Sequence, residues 1–169
     1  MSKAFTRETD DERQPVPQHR PRLPSGVKNY LTPDGERRLR AQLEQLTLAE
    51  RPRLAALAED SDAKSRLAAL DQRIAKLQRG LADALVTPPP PKPWDTVRFG
   101  AFVTVRDQRG AVETYRIVGI EELDLNQGWV SFLSPLAKAL LNARLGQRVR
   151  FRSPSGEAEL EITAIDYRS

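Results

Sequence analysis

Five prolines crowd residues 88–93 of this chain, in Thr87-Pro88-Pro89-Pro90-Pro91-Lys92-Pro93. Proline has no backbone N–H and a fixed φ, so neither a helix nor an interior strand can run through such a segment. It must be extended, polyproline II or loop. The run therefore divides the chain, and each side must fold on its own pattern. Before it, apolar residues recur at intervals of three and four. After it, from Val97, they recur at intervals of two. The change of period predicts an α+β protein: helices first, then a small sheet.

The helical half starts at Thr32-Pro33-Asp34-Gly35. Threonine serves as N-cap, proline as first helical residue, and acids occupy the first turn. Leu39, Leu43 and Leu46 form a stripe that continues at Leu54 and Leu57 after a one-residue slip. Pro52 lies at the slip, where it kinks the helix. A polar pause follows at Glu59-Asp60-Ser61-Asp62. The stripe then resumes at Leu67, Leu70, Ile74, Leu77, Leu81 and Leu85, close to a heptad seam. Two such segments make an antiparallel helical hairpin, a coiled coil within one chain. The other solution is one long helix paired with a second chain. Asp60-Ser61-Asp62 is good N-cap material for a second helix and favours the hairpin. Leu39, Leu43 and Leu46 should then face Leu77–Leu85, with Leu54 and Leu57 facing Leu67 and Leu70.

Past the prolines, strands are expected at 102–105, 113–118, 129–133, 149–152 and 158–165. Turns are expected at Asp107–Gly110 and Pro154-Ser155-Gly156. Ser134-Pro135 opens a short helix over 134–141. Tyr115, Trp129, Phe132 and Phe151 read as core, and the isolated Gly119, Gly128 and Gly146 as turn or strand-end positions. The sum is a compact unit with an antiparallel sheet. The chain thus divides into a disordered tail (1–28), the hairpin (29–87), a proline-rich linker (88–96) and the sheet unit (97–169).

Composition narrows the chemistry. There is no cysteine, and the single histidine is His19. A disulfide scaffold, a thiolate zinc site, a cysteine nucleophile and a multi-histidine metal site are excluded. Any chemistry must rest on carboxylates. No run approaches the roughly 18 apolar residues of a spanning helix, and the first 30 residues hold no apolar signal core. The expectation is a soluble, cytoplasmic protein. The net charge of +4 comes from 27 Lys and Arg against 23 Asp and Glu. Their signs are interspersed, as on a mixed solvated surface. Residues 1–28, with a short acidic patch at Thr9–Glu12, are too polar to offset their ordering entropy.

Several segments together resemble one family. Tyr115-Arg116-Ile117-Val118-Gly119, Ser134-Pro135-Leu136-Ala137-Lys138-Ala139-Leu140-Leu141, Gly146 and Pro154-Ser155-Gly156 stand in the order found in the bacterial GreA/GreB transcription factors. The GreB branch is the nearer. Tyr30-Leu31-Thr32-Pro33-Asp34-Gly35, Glu50-Arg51-Pro52 and Met1–Glu8 are similar to that family as well. The resemblance implies an FKBP-like C-terminal domain that binds RNA polymerase at the rim of its secondary channel. It implies a coiled coil that enters the channel, with nascent RNA as a further neighbour. Acidic residues at its tip would help hold a magnesium ion of the polymerase active centre, which activates water for cleavage of backtracked RNA. Such a protein has no cofactor of its own and is not an enzyme. It works as a monomer.

The carry-over assigns Glu59, Asp60 and Asp62 to the shared magnesium, a hard ion that prefers carboxylate oxygen. It assigns Arg37, Arg38, Arg40, Arg51 and Arg53 to RNA or the channel wall, and Ser134, Pro135, Leu136, Ala137 and Lys138 to the polymerase. Read from the residues alone, the acids are a polar turn with an N-cap. The arginines are then a solvated face with Glu44 and Glu50 as partners. The sequence departs from the family at the tip. Glu59-Asp60-Ser61-Asp62-Ala63-Lys64 stands where Gly-Asp-x-Ser-Glu-Asn and an acid-tyrosine pair are usual. The span from Pro52 to Leu67 is also shorter by about 14 residues, or about 10 Å of arm. A cleavage-stimulating factor, a cleavage-incompetent competitor for the channel and a general protein or RNA interaction module all remain open at this point.

Overall fold

Thr32 starts the first helix as its residue type dictates. Its backbone is extended (φ −77°, ψ 156°), and its Oγ1 accepts a hydrogen bond from Gly35 N at 3.1 Å. The computed structural model describes residues 22–57 and 59–168. The acidic patch at 9–12 and His19, with most of the expected tail, lie outside them. In chain order the elements are β1 (Asn29–Leu31), α1 (Pro33–Gln45), α2 (Arg51–Ala56), α3 (Ser61–Ala82) and β2 (Ala84–Val86). After the prolines come β3 (Phe102–Asp107), β4 (Val112–Val118), β5 (Trp129–Ser131), α4 (Pro135–Leu140), β6 (Arg148–Ser153) and β7 (Gly156–Asp166).

The one-residue slip in the leucine stripe has a definite form. Leu46–Glu50 is a π-helical segment between α1 and α2, closed by Arg51 N donating to Leu46 O. A π turn takes in one more residue than an α turn. The stripe therefore steps eight residues from Leu46 to Leu54 and stays on the same face. Pro52 follows directly, and the wide turn relieves the clash its ring would make with the carbonyl four residues earlier.

The chain turns back between α2 and α3, where Asp60 N donates to Leu57 O at 3.1 Å. Asp60 caps α3, its Oδ1 accepting from Asp62 N at 3.2 Å. α3 packs against both α1 and α2. The shared core is Leu31, Leu39, Leu46, Leu70, Ile74 and Leu77, with Leu43, Leu54, Leu81 and Ala84 against it. Three expected seam residues, Leu57, Leu67 and Leu85, are not part of it, and Leu67 is only half-buried. Leu57 is 62% exposed, because α2 stops at Ala56 and Leu57 has left helical geometry (φ −100°, ψ 11°). Leu85 is 44% exposed, because α3 stops at Ala82 and Leu85 belongs to β2. β1 and β2 pair in parallel, Asn29 with Ala84 through Leu31 with Val86. The two ends of the helical excursion are thereby tied together. Neither three-residue strand is long enough to show a period.

The second sheet has the order β5-β4-β3-β7-β6. β3–β4, β3–β7 and β6–β7 are antiparallel, as expected. β4–β5 is parallel, so the sheet is mixed and the expectation of a purely antiparallel one is corrected. The cause is the connection between them. Residues 119–128 pass through two 3-10 turns and fold back far enough for Trp129 to lie beside Arg116 and run parallel to the last three residues of β4. Val97, Val103, Val105, Ile117 and Ile162 fill the core, and α4 closes it with Ala137 and Leu140. Among the described residues no helix is long and apolar enough to cross a membrane.

Candidate functional site

Glu59, Asp60 and Asp62 all sit exposed at the turn between α2 and α3. Two of them have local employment. Asp60 caps α3, and Asp62 pairs with Arg66 at 3.6 Å one turn on. Among the described residues no three Asp, Glu, His or Cys side chains are grouped so as to hold a metal. The donor set does not fit a magnesium site of this chain's own.

The five arginines do not form one free face. Arg40 pairs with Glu36 (2.7 Å) and Arg51 reaches across to Asp71 on α3 (2.7 Å). These partners are not the Glu44 and Glu50 suggested by the sequence. Arg37 and Arg53 are exposed. Arg38 turns toward the sheet unit. Its guanidinium lies 4.3 Å from the centre of the Trp129 ring and 3.5 Å from Glu122 Oε1.

Within Ser134–Lys138 the structural and exposed roles separate. Ser134 Oγ accepts from Ala137 N at 3.1 Å and caps α4, while Ala137 is fully buried. Leu136 packs partly against the core. Pro135 and Lys138 face outward. Ser134 also borders an apolar groove with Leu123, Leu125, Val130 and Leu133, where Leu125 is 63% exposed.

The most organised polar cluster was not singled out from sequence. It lies where α1 meets the sheet unit. Arg116 on β4 is 3% exposed and grips Asp34 with both terminal nitrogens, at 2.8 and 2.5 Å. Glu122, 5% exposed, sits at the start of α1. Its Oε2 accepts from Thr32 N (2.9 Å) and Gly119 N (3.2 Å), and its Oε1 accepts from Thr32 Oγ1. A carboxylate at a helix N-terminus also meets the positive end of the helix dipole. Gly35 and Gly119 make room. A Cβ on Gly35 would overlap the Glu122 carboxylate, and one on Gly119 would overlap the carbonyl oxygen of Tyr30. Tyr30 itself packs on Phe99 (5.7 Å) and Phe132 (5.5 Å). Trp129, expected in the core, instead carries the guanidinium groups of Arg38 and Arg116. The signal available in sequence was that both Tyr30–Gly35 and Tyr115–Gly119 carry the family resemblance and hold opposite charges, Asp34 and Arg116. The fold brings them together.

Burial alone would raise the Asp34 carboxyl. Hydrogen bonds from Arg116 and Thr32 and the charges of Arg116 and Arg38 outweigh it and hold the group at about 2, against an ordinary 3.8. The folded value lies below the unfolded one. The pair therefore stabilises the protein above about pH 4, and that contribution is lost as pH falls toward 2. After discounting for partial exposure it amounts to about 1–2 kcal/mol. Urea unfolding at pH 4.5 and pH 2 should show that much more loss for wild type than for Asp34→Asn.

Comparison with known proteins bears on both halves. The family model described as transcription elongation factor, GreA/GreB, C-term matches residues 91–167. Transcription elongation factor GreB of Neisseria meningitidis serogroup B is 36% identical over 155 residues, covering 83% of this chain and 95% of that protein. GreB of Pseudomonas aeruginosa is 36% identical over 162 residues, covering 88% and 96%. In the Neisseria match, 83% of 169 residues is about 140, so about 15 of the 155 aligned positions have no residue here. Among solved structures, GreA factor homolog 1 (Gfh1) of Thermus thermophilus is 28% identical and covers 83% of this chain and 99% of its own. Its TM-score of 0.40 is too low to transfer an arrangement.

Proposed function

The chain belongs to the GreA/GreB family of transcription elongation factors, and from that premise we propose that it docks on RNA polymerase and occupies the secondary channel without stimulating transcript cleavage. In this reading the sheet unit is the FKBP-like docking domain. Pro135, Lys138 and the groove of Leu123, Leu125 and Leu133 form its contact surface. The helices are the antiparallel coiled coil that enters the channel as a monomer. Arg37 and Arg53 face the channel wall or nascent RNA. Any RNA hydrolysis belongs to the polymerase, so the chain is not an enzyme.

The observation that carries the absence of stimulation is the tip. Its three acids are exposed, two are engaged locally, and they do not gather into a metal-holding group. The alignment deficit supports the same reading. The deficit of about 15 aligned positions is close in size to the shortfall of about 14 residues read from the sequence between Pro52 and Leu67. Split between two antiparallel helices, they shorten the arm by about 10 Å. A magnesium ligand must come within about 2–2.5 Å of its ion.

The test is competition. The full chain should displace a cleavage-stimulating family member from core polymerase. Leu125→Asp or Lys138→Glu should weaken that displacement by about tenfold or more, as loss of an interface anchor does. Asp60→Ala should leave it unchanged. Undiminished displacement by both docking variants would overturn the assignment of the surface.

A further inference from the structure

We propose that Arg116 and Glu122 are positioning residues that fix the direction in which the helical arm leaves the sheet unit. The proposal rests on the reading that one unit docks while the other reaches. From Pro33 to Ala56 the first helical leg of the arm is about 35 Å long at 1.5 Å per residue, so about 10° of play at its root moves the tip by about 6 Å. A tip that must thread a channel needs its root held.

The root is held by groups that do not belong to the arm. Glu122 satisfies the backbone N–H of Thr32 and the N–H of Gly119 together, one from each side of the joint. Arg116 binds Asp34 in the first turn of α1 through a two-pronged ion pair, and its guanidinium also lies 4.8 Å from the centre of the Phe102 ring. Both side chains are at least nine-tenths buried. A paired guanidinium fork fixes orientation as well as distance. The two contacts lie at successive points of the same helix start, so they restrain its direction and not only its position. Removing Arg116 leaves Asp34 only the longer Arg38 pair at 3.5 Å and the Thr32 hydroxyl, which makes a shifted orientation competitive.

The chain has no cysteine, so paired spin labels can be placed cleanly. Lys64→Cys near the tip and Gln108→Cys in the β3–β4 turn report the arm direction. Wild type and the control Glu36→Gln, whose side chain pairs with Arg40 on the same helix, should give one narrow distance distribution. Arg116→Met and the milder Glu122→Gln should broaden it about twofold or more, as one orientation becomes an ensemble. Their circular dichroism should stay native. Distributions as narrow as wild type in a folded Glu122→Gln and a folded Arg116→Met would overturn the proposal, as would equal broadening in Glu36→Gln. The distance measurement contains no polymerase, so it stands or falls apart from the docking assignment.

Discussion

Gly119→Ala should destabilise the protein by about 3–5 kcal/mol, combining overpacking strain with the loss of buried hydrogen bonds. The reason is space and not backbone conformation. Gly119 is extended (φ −69°, ψ 163°), a region open to any residue. An added Cβ would overlap the carbonyl oxygen of Tyr30 and come within 3.3 Å of Glu122 Oε2. A backbone oxygen cannot swing aside as a side-chain end can. β1 must retreat, and with it go the Glu122 contacts to Thr32 N and Gly119 N and the packing of Tyr30 on Phe99 and Phe132. Urea denaturation followed by tryptophan fluorescence measures the loss. A change below about 1 kcal/mol, the scale of an ordinary surface substitution, would contradict the close approach of β1.

Leu77→Ala comes next in size. Leu77 is 8% exposed and lies in the apolar seam with Leu39, Leu46, Leu70 and Ile74. The cost is about 2–4 kcal/mol, the transfer free energy of the lost atoms plus the cavity they leave. The helical arm has little other core, so helical ellipticity should melt at lower temperature while the sheet signal persists. The same change at the exposed Leu48 should be nearly silent, since Leu48 is 69% exposed. Equal effects at the two positions would mean that the seam is wrongly placed.

Periodicity made the larger elements readable. Thr32 and Asp60 cap helices because their side chains reach orphan N–H groups, a local property. The alternation in β3 and β7 is equally local. What escaped was set by contacts far apart in sequence. β1 and β2 are three residues each and pair across the whole helical arm. The parallel pairing of β5 depends on where the 119–128 connection delivers the chain. The slip at Leu46–Leu54 was visible, but its π-helical form shows only in the Arg51–Leu46 bond.

The candidate site was legible unevenly. The acids at 59–62 and the Ser134–Lys138 segment stood out from residue type and family resemblance. The joint did not. Asp34 reads as a first-turn acid and Arg116 as one more charge in a strand, and their separation of 82 positions carries no mark of their pairing. Arg38 was grouped with the channel arginines because it shares their helix. Its position over Trp129 is a fact of tertiary structure alone.

The most direct measurement is RNA cleavage in halted, backtracked polymerase complexes, with and without this protein, at low magnesium. The account predicts that wild type adds nothing to the polymerase's own cleavage rate, that Asp60→Ala and Asp62→Ala behave identically to it, and that an excess of the chain suppresses cleavage driven by a longer Gre factor. Robust cleavage with wild type, lost in Asp60→Ala or Asp62→Ala while binding is retained, would show that these carboxylates reach the metal and would contradict it.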